Sequence, residues 1–225
     1  MKLILEIYTC IEKVNMEKIE ITDVNSMGYE EFTDVFNNVI EHCPFITASI
    51  WSKKGFNNLK EIHLAICRIL DELSTKGIKY FVILCLCVRL TFSISVISLT
   101  IIIFIHTEKI GIIRCHPDLA GKLADQGALS RESEKEQKSA GLHELSKTDK
   151  QILKENNNLY KEKFAFPFVI CVRLTTQKAI MEGIEGRLNN NFETEVLAAI
   201  EEIKKIGFLR LANIINENDS IDNKM

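Results

Sequence analysis

The chain has 225 residues, 46% of them hydrophobic and 26% charged, with a formal net charge of −3. This size and balance describe one ordinary globular domain with a real core and exclude the basic face that a nucleic-acid partner requires. Ten glycines and three prolines are few turn residues for this length, which favours helices over many short strands.

Residues 1–24 show little organisation, Met16 is an alternative start, and residues 1–15 form an N-terminal extension of doubtful origin. The stretch from Met1 to Ile7 is interrupted by Glu6 and is shorter than the ~7–15 apolar residues of a secretory h-region. From Asn25 the pattern sharpens. Asn25 or Ser26 can cap a helix whose apolar positions Phe32, Val35, Phe36, Val39 and Ile40 form one stripe. Pro44 follows its end, and a short helix is expected around Ile46 to Trp51. Leu59, Ile62, Ile66, Leu70 and Leu73 make a second stripe, ending near Gly77.

An anomaly follows. From Phe81 to Ile105 every residue is apolar or small and polar except Arg89. A bilayer core needs ~20 apolar residues on a helix, but the β-branched content of Ile94 to Ile103 would also suit a buried strand. After Gly111 the globular pattern resumes. Ile112 to Pro117 reads as a short segment entering a turn. Ser130 can cap an acidic helix start, and Ser146 to Asp149 is a capping box before Ile152, Leu153, Leu159 and Tyr160. Phe164 to Leu174 is a short apolar segment containing Pro167. A last helix runs from about Glu193 with Val196, Ala199, Ile200, Ile203 and Ile206 on one face, and a polar tail begins at Asn216. Helices joined by short turns predict an all-α bundle.

Among the side chains that could carry chemistry, the seven cysteines are odd in number and contain no CxxC pair. They suit buried thiols in a reducing compartment better than a disulfide framework or a metal site. None of the five histidines pairs with another at metal spacing. His116 precedes Pro117, so its backbone is extended at a turn, and its ordinary pKa suits proton transfer near neutrality. A capping or surface histidine is the plainer alternative. Ser133 and Glu136 or Gln137 share a helix face that could meet a ligand or simply be solvated. Arg210 could fork onto a carboxylate or complement a helix end.

Arg114-Cys-His-Pro-Asp-Leu-Ala-Gly121, followed by Ser130-Arg-Glu-Ser-Glu-Lys-Glu-Gln137 and Ala140-Gly141-Leu142, resembles the 2-oxo-4-hydroxy-4-carboxy-5-ureidoimidazoline (OHCU) decarboxylases. Further matches are Val24 to Met27 with Tyr29-Glu30, Cys43-Pro44, Trp51-Ser52, Tyr160 to Cys171, and Glu202 to Ile206 leading to Leu209-Arg210-Leu211. They occur in the family's order over roughly residues 16–75 and 110–215.

The resemblance implies a single-domain, all-α, homodimeric carboxy-lyase of urate degradation that uses no metal or organic cofactor. It would turn OHCU into (S)-allantoin, with His116 as catalytic acid/base and Glu136 as the carboxylate orienting it. Pro117, Ser133, Glu134, Lys135, Gln137, Phe168, Val169, Ile170, Cys171, Val172 and Arg210 stand at substrate-contacting positions. The ending Asn223-Lys224-Met225 is a weak variant of a peroxisomal address, with the cytosol as alternative.

The chain departs from the family over residues 78–109, where a short connection is expected. Three readings stand: a gene-model artefact such as a retained intron, a membrane segment, or a real insertion that finds cover. A single span would put the two halves of one domain on opposite sides of a bilayer, which argues against a membrane partner. Two further functions remain open beside the decarboxylase: an inactive isoform serving as a dimerisation or binding module, and a membrane-anchored interaction protein.

Overall fold

The computed structural model describes residues 18–73 and 109–216. The N-terminal extension, the apolar run from Phe81 to Ile105 and the polar tail beyond Asn216 lie outside the described residues. So does the expected end near Gly77.

Ten helices are described. They are α1 (Ile21–Ser26), α2 (Tyr29–Val35), α3 (Pro44–Ala48), α4 (Leu59–Glu72), α5 (Lys109–Arg114), α6 (Lys122–Asp125), α7 (Arg131–Ser139), α8 (Lys147–Phe164), α9 (Gln177–Arg187) and α10 (Phe192–Ile214), with 3-10 turns at Trp51–Lys53, Leu142–Glu144 and Val172–Leu174. Among the described residues there is no β-strand. The nearest thing to one is an isolated parallel bridge between Ile19 and Ile215. The expected all-α architecture is therefore observed. Within these residues no helix is long and apolar enough to cross a membrane.

The longest helix, α10, organises the bundle. Val196, Ala199, Ile200, Ile203, Leu209 and Leu211 are essentially sealed from solvent, and each fully buried aliphatic side chain contributes roughly 1.5–3 kcal/mol of transfer free energy. The helix packs on α4 and α5. In α4 the expected stripe is buried at Leu59, Ile62, Ile66 and Leu70. Side-chain oxygens of Asn58, Ser130, Ser146, Thr176 and Asn191 accept the third following backbone N–H, satisfying donors that a helix start otherwise leaves orphaned.

Several expectations are corrected. Neither Asn25 nor Ser26 caps a helix. Asn25 lies inside α1, where its side chain accepts from Gly55 N and Phe56 N and donates to the Phe56 carbonyl. Gly28 caps α2 instead. Phe32, Phe36, Val39 and Ile40 of the stripe are buried and Val35 is partly so, but α2 stops at Val35 and the chain continues as a turn. The short segment that enters the turn at Pro117 begins as the end of a helix, with Ile112 to Arg114 inside α5. In α8, Leu153 and Tyr160 are buried while Ile152 and Leu159 face outward. The sequence reading missed α9. Its buried Ile180 and Ile184 are one helical turn apart, but Gly183 and Gly186 dilute the pattern.

Two junctions bear on the site. Lys109 is buried, and its ammonium donates to the Asp71 carbonyl at 2.8 Å and to the Leu73 carbonyl. The end of α4 and the start of α5 are thereby tied together. At Gly207 of α10, an added Cβ would meet Ile40 Cδ1 at 3.1 Å and the Val39 carbonyl at 3.6 Å. A glycine in mid-helix costs ~1 kcal/mol relative to alanine. Here it lets α10 approach the turn that carries Glu41.

Candidate active site

His116 lies just beyond α5, two residues after its last turn, and is buried. Its Nδ1 is 3.1 Å from the Ile112 carbonyl. A carbonyl only accepts, so Nδ1 carries the hydrogen and Nε2 presents a lone pair. Nε2 is buried and has no hydrogen-bond partner. Burial pushes the ring's pKa down to about 4, helped by the Arg210 guanidinium and opposed by Glu41. The imidazole is therefore neutral near pH 7.

A narrow cleft, open at its mouth, has His116 and Pro117 on one wall, Ser133, Glu136 and Gln137 on a second, and Phe168 to Val172 with Arg210 on a third. Eleven of the thirteen residues expected at the site thus line one cavity. Glu134 and Lys135 do not. Both are exposed, and Glu134 instead pairs with Lys138 at 2.7 Å. On a helix only positions three or four apart share a face, so Ser133, Glu136 and Gln137 point in while the two between them point out.

The polar contacts differ from those the resemblance implied. Glu136 makes no hydrogen bond to His116. Its two oxygens each accept from Arg210, from Nε at 2.8 Å and from Nη2 at 2.8 Å. Gln137 braces the turn before it, accepting from Ala120 N at 2.9 Å. The Cys171 N–H donates to Glu202 at 2.8 Å, and the Val169 carbonyl accepts from Arg187 at 2.7 Å. Two backbone groups of the third wall are therefore already engaged within the protein. Burial pushes the Cys171 thiol up to about 12, so it is a neutral, unreactive lining group.

One residue the sequence reading missed is Glu41. It is 1% exposed, accepts from the Ser133 hydroxyl at 2.9 Å and lies 2.6 Å from Arg210 Nη1. Burial alone would raise its pKa, but the Arg210 guanidinium and the hydrogen bonds to the carboxylate together outweigh this and hold it below the ordinary carboxylate range. Burial would likewise lower the pKa of Arg210, yet Glu136 and Glu41 hold it above its ordinary value. The backbone at His42, with φ of 51°, turns the chain so that Glu41 faces in and the exposed His42 ring faces out. That left-handed conformation costs roughly 1–2 kcal/mol in a non-glycine residue. The available signal was a lone glutamate after an apolar stripe, which alone reads as a helix terminus.

Behind the third wall, Glu195 is fully buried and is bonded by Arg187 Nε at 2.7 Å, by Asn190 Nδ2 at 2.7 Å and by the Tyr160 hydroxyl. Arg187 spans from this carboxylate to the Val169 carbonyl, so the ion pair fixes the strand-like segment that faces the ligand space.

A sequence profile described as OHCU decarboxylase matches residues 25–212. The chain is 36% identical over 200 residues to the 2-oxo-4-hydroxy-4-carboxy-5-ureidoimidazoline decarboxylase of Xenopus laevis, covering 88% of this chain and 97% of that one. It is 37% identical over 197 residues to the enzyme of the same description from Amia calva, covering 88% and 95%. A crystal structure of OHCU decarboxylase in the presence of (S)-allantoin superposes with a TM-score of 0.51 at 19% identity, covering 82% of this chain and 96% of that one. This last likeness concerns the fold.

Proposed function

Because the chain belongs to the OHCU decarboxylase family, we propose that it acts as a carboxy-lyase at the cleft of His116, removing carbon dioxide from OHCU to leave (S)-allantoin in urate degradation. The substrate's name places a hydroxyl and a carboxyl on one ring carbon and a ureido group on the next. When the bond to the carboxyl carbon breaks, its electron pair can pass into the ring's C=N bond. The protein then has to orient the carboxylate out of the ring plane, balance the moving charge and place a proton on one face.

The observation that carries this reading is the fixed imidazole. His116 Nδ1–H is held by Ile112, while Nε2 is left without a hydrogen-bond partner in a residue that lines the same cleft as Arg210. A single imidazole edge on one wall would take the hydroxyl proton and return a proton to one face of the ring, which accounts for a single enantiomer. Glu136 and Arg210 supply opposite charges on the facing walls. We further propose a homodimer, supported by Ile152 and Leu159, which lie on the outward face of α8 and are both exposed. Sedimentation at micromolar concentration tests this.

The test of the reaction is carbon dioxide release from freshly generated substrate, followed with the optical rotation of the allantoin formed. Wild type is expected to exceed the spontaneous rate and give the S enantiomer, and His116→Asn is expected to give neither. A wild-type chain that folds and yields racemic product at the spontaneous rate would make it an inactive binding module.

A further inference from the structure

We infer that Arg173, and not Arg210, holds the carboxylate of the substrate. The cleft then has two guanidinium groups with divided duties, one keeping the protein's own carboxylates in place and the other selecting a carboxylated ring. The inference rests on the decarboxylase reading and names a specificity-determining residue of that same site.

A guanidinium has five N–H bonds in a fixed plane. Those of Arg210 are directed at Glu136 from Nε, at Glu136 and Ser133 from Nη2, and at the Asn38 carbonyl and Glu41 from Nη1. Two carboxylates therefore close around one cation. An anion reaching Arg210 would have to evict one of them. That would break charge-assisted hydrogen bonds, which are the strong ones. It would also leave a carboxylate uncompensated where side chains are largely withdrawn from water, which is costly.

Arg173 presents the opposite case. It is half-buried and lines the same cleft. It stands in the 3-10 turn Val172–Leu174, which continues the third wall and packs against α7. Leu174 N and the Thr175 hydroxyl both donate to the Cys171 carbonyl, at 3.1 and 3.0 Å, and so close the turn and fix the base of the side chain. Arg173 Nη1 donates to the Leu209 carbonyl at 3.3 Å, and Nη2 donates to the Asn213 side-chain oxygen at 3.5 Å. Both distances are long for an N–H···O bond, and both of these acceptors are uncharged. A substrate carboxylate that takes over these two N–H groups replaces long neutral bonds with charge-assisted ones, in the forked geometry a guanidinium favours. The nearby carboxylates are already engaged. Glu136 is bonded through both oxygens to Arg210, and Glu202 accepts from Lys205 at 2.6 Å and from Cys171 N at 2.8 Å.

This placement suits the chemistry. The bond from the ring carbon to the carboxyl breaks, its electron pair enters the ring C=N bond, and the carboxylate loses its charge as carbon dioxide forms. A cation on that carboxylate stabilises the bound substrate more than the transition state. Its contribution is therefore to binding and selection, not to the rate of bond breaking. The product (S)-allantoin carries no carboxylate, so it lacks this contact when it leaves.

The test is calorimetric titration of the full chain with hydantoin-5-acetate, its uncharged counterpart hydantoin-5-acetamide, and (S)-allantoin. Wild type is expected to bind the acetate at least ~10-fold more tightly than the acetamide. Arg173→Gln keeps a donor for the Leu209 carbonyl but no charge. It is expected to bring that ratio to about 1 while binding the acetamide and (S)-allantoin within ~3-fold of wild type. Arg173→Lys is expected to restore part of the preference. Asn213→Asp sets a competing carboxylate beside the guanidinium and is expected to abolish the preference with Arg173 in place. In turnover of fresh substrate, Arg173→Gln should raise KM at least ~10-fold and change kcat by less than ~3-fold. The anchor is overturned if wild type shows no preference for the acetate, or if Arg173→Gln retains it, which would return the carboxylate to Arg210. It is also overturned if Arg173→Gln weakens all the ligands alike, or if kcat falls while KM stays. Should Arg173→Gln fail to fold, Asn213→Asp decides. Failure of wild type to decarboxylate fresh substrate would sink the decarboxylase reading, whereas turnover with an unaltered acetate preference in Arg173→Gln sinks only the anchor.

Discussion

Glu41 Oε2 lies 2.6 Å from Arg210 Nη1, and both side chains are almost wholly withdrawn from water. Breaking a buried pair from one side leaves an uncompensated charge, typically at ~3–5 kcal/mol. Arg210→Met strands two carboxylates and is expected to lower stability by about that amount, some 10 °C in melting temperature for a domain of this size. Glu41→Gln keeps an acceptor for Ser133 and Arg210 and should lose roughly half as much. Thermal melts followed by far-UV circular dichroism check both. A loss under about 1 kcal/mol in Arg210→Met would mean the triad is not formed in solution.

His116→Asn separates chemistry from stability. General acid–base catalysis contributes ~10²–10⁴-fold, so turnover should fall within that range. The asparagine can still donate towards the Ile112 carbonyl, and the melting temperature should change little. A variant that melts far lower yet turns over normally per folded molecule would give His116 a structural role instead.

How legible this was depended on what fixes each residue. Val196, Ala199, Ile200 and Ile203 of α10 recur at helical spacing, and their burial follows from periodicity alone. His116, Ser133, Gln137 and Arg210 were named from ordered motif matches, and they converge because α5, α7 and α10 meet at one cleft. What escaped was pairing at long range. Glu41 and Arg210 are far apart in sequence, and no local pattern says that a glutamate after an apolar stripe turns inward. The partner of Glu136 was also missed, since a permanent cation outcompetes a neutral imidazole for the carboxylate.

The pH dependence of stability carries a signature of His116. Its folded pKa of about 4 is below the ~6.5 of an unfolded histidine. Between these values the unfolded chain holds a proton that the folded chain lacks. The contribution is present above about pH 6.5 and is lost as pH falls towards 4, amounting to about 3 kcal/mol. Urea titrations at several pH values should show wild type losing more stability over that window than His116→Asn. Equal slopes would contradict the buried neutral ring.

The ion pair behind the third wall should act on binding. Arg187 ties Glu195 to the Val169 carbonyl, so Arg187→Met frees the segment from Phe168 to Val172. With Glu195 left buried, a loss of ~3–5 kcal/mol is expected, and in the fraction that folds KM should rise more than kcat falls. Tyr160→Phe removes one of several donors to Glu195 and should cost only ~1 kcal/mol. A kcat loss without a KM change in Arg187→Met would tie the pair to the chemical step instead.

The contact of Lys109 with the Asp71 and Leu73 carbonyls predicts that residues 74–108 can be replaced. A linker of about six residues spans up to ~20 Å, ample for two ends that one lysine side chain bridges. The shortened chain is expected to keep its helical content and its turnover of fresh substrate. Loss of both would show that this segment contributes to the fold.

At the opposite side of the connectivity, Ile19 N donates to the Ile214 carbonyl at 2.8 Å and Asn216 N donates to the Ile19 carbonyl at 2.8 Å. Chain on either side of the described fold therefore departs from a single point. With the α4–α5 junction also closed, the bundle is a ring in connectivity. Joining the first end to the last and opening the ring between Leu73 and Lys109 would give a circular permutant that starts at α5, with the helices that build the cleft, α5, α7 and α10, ahead of α1 to α4.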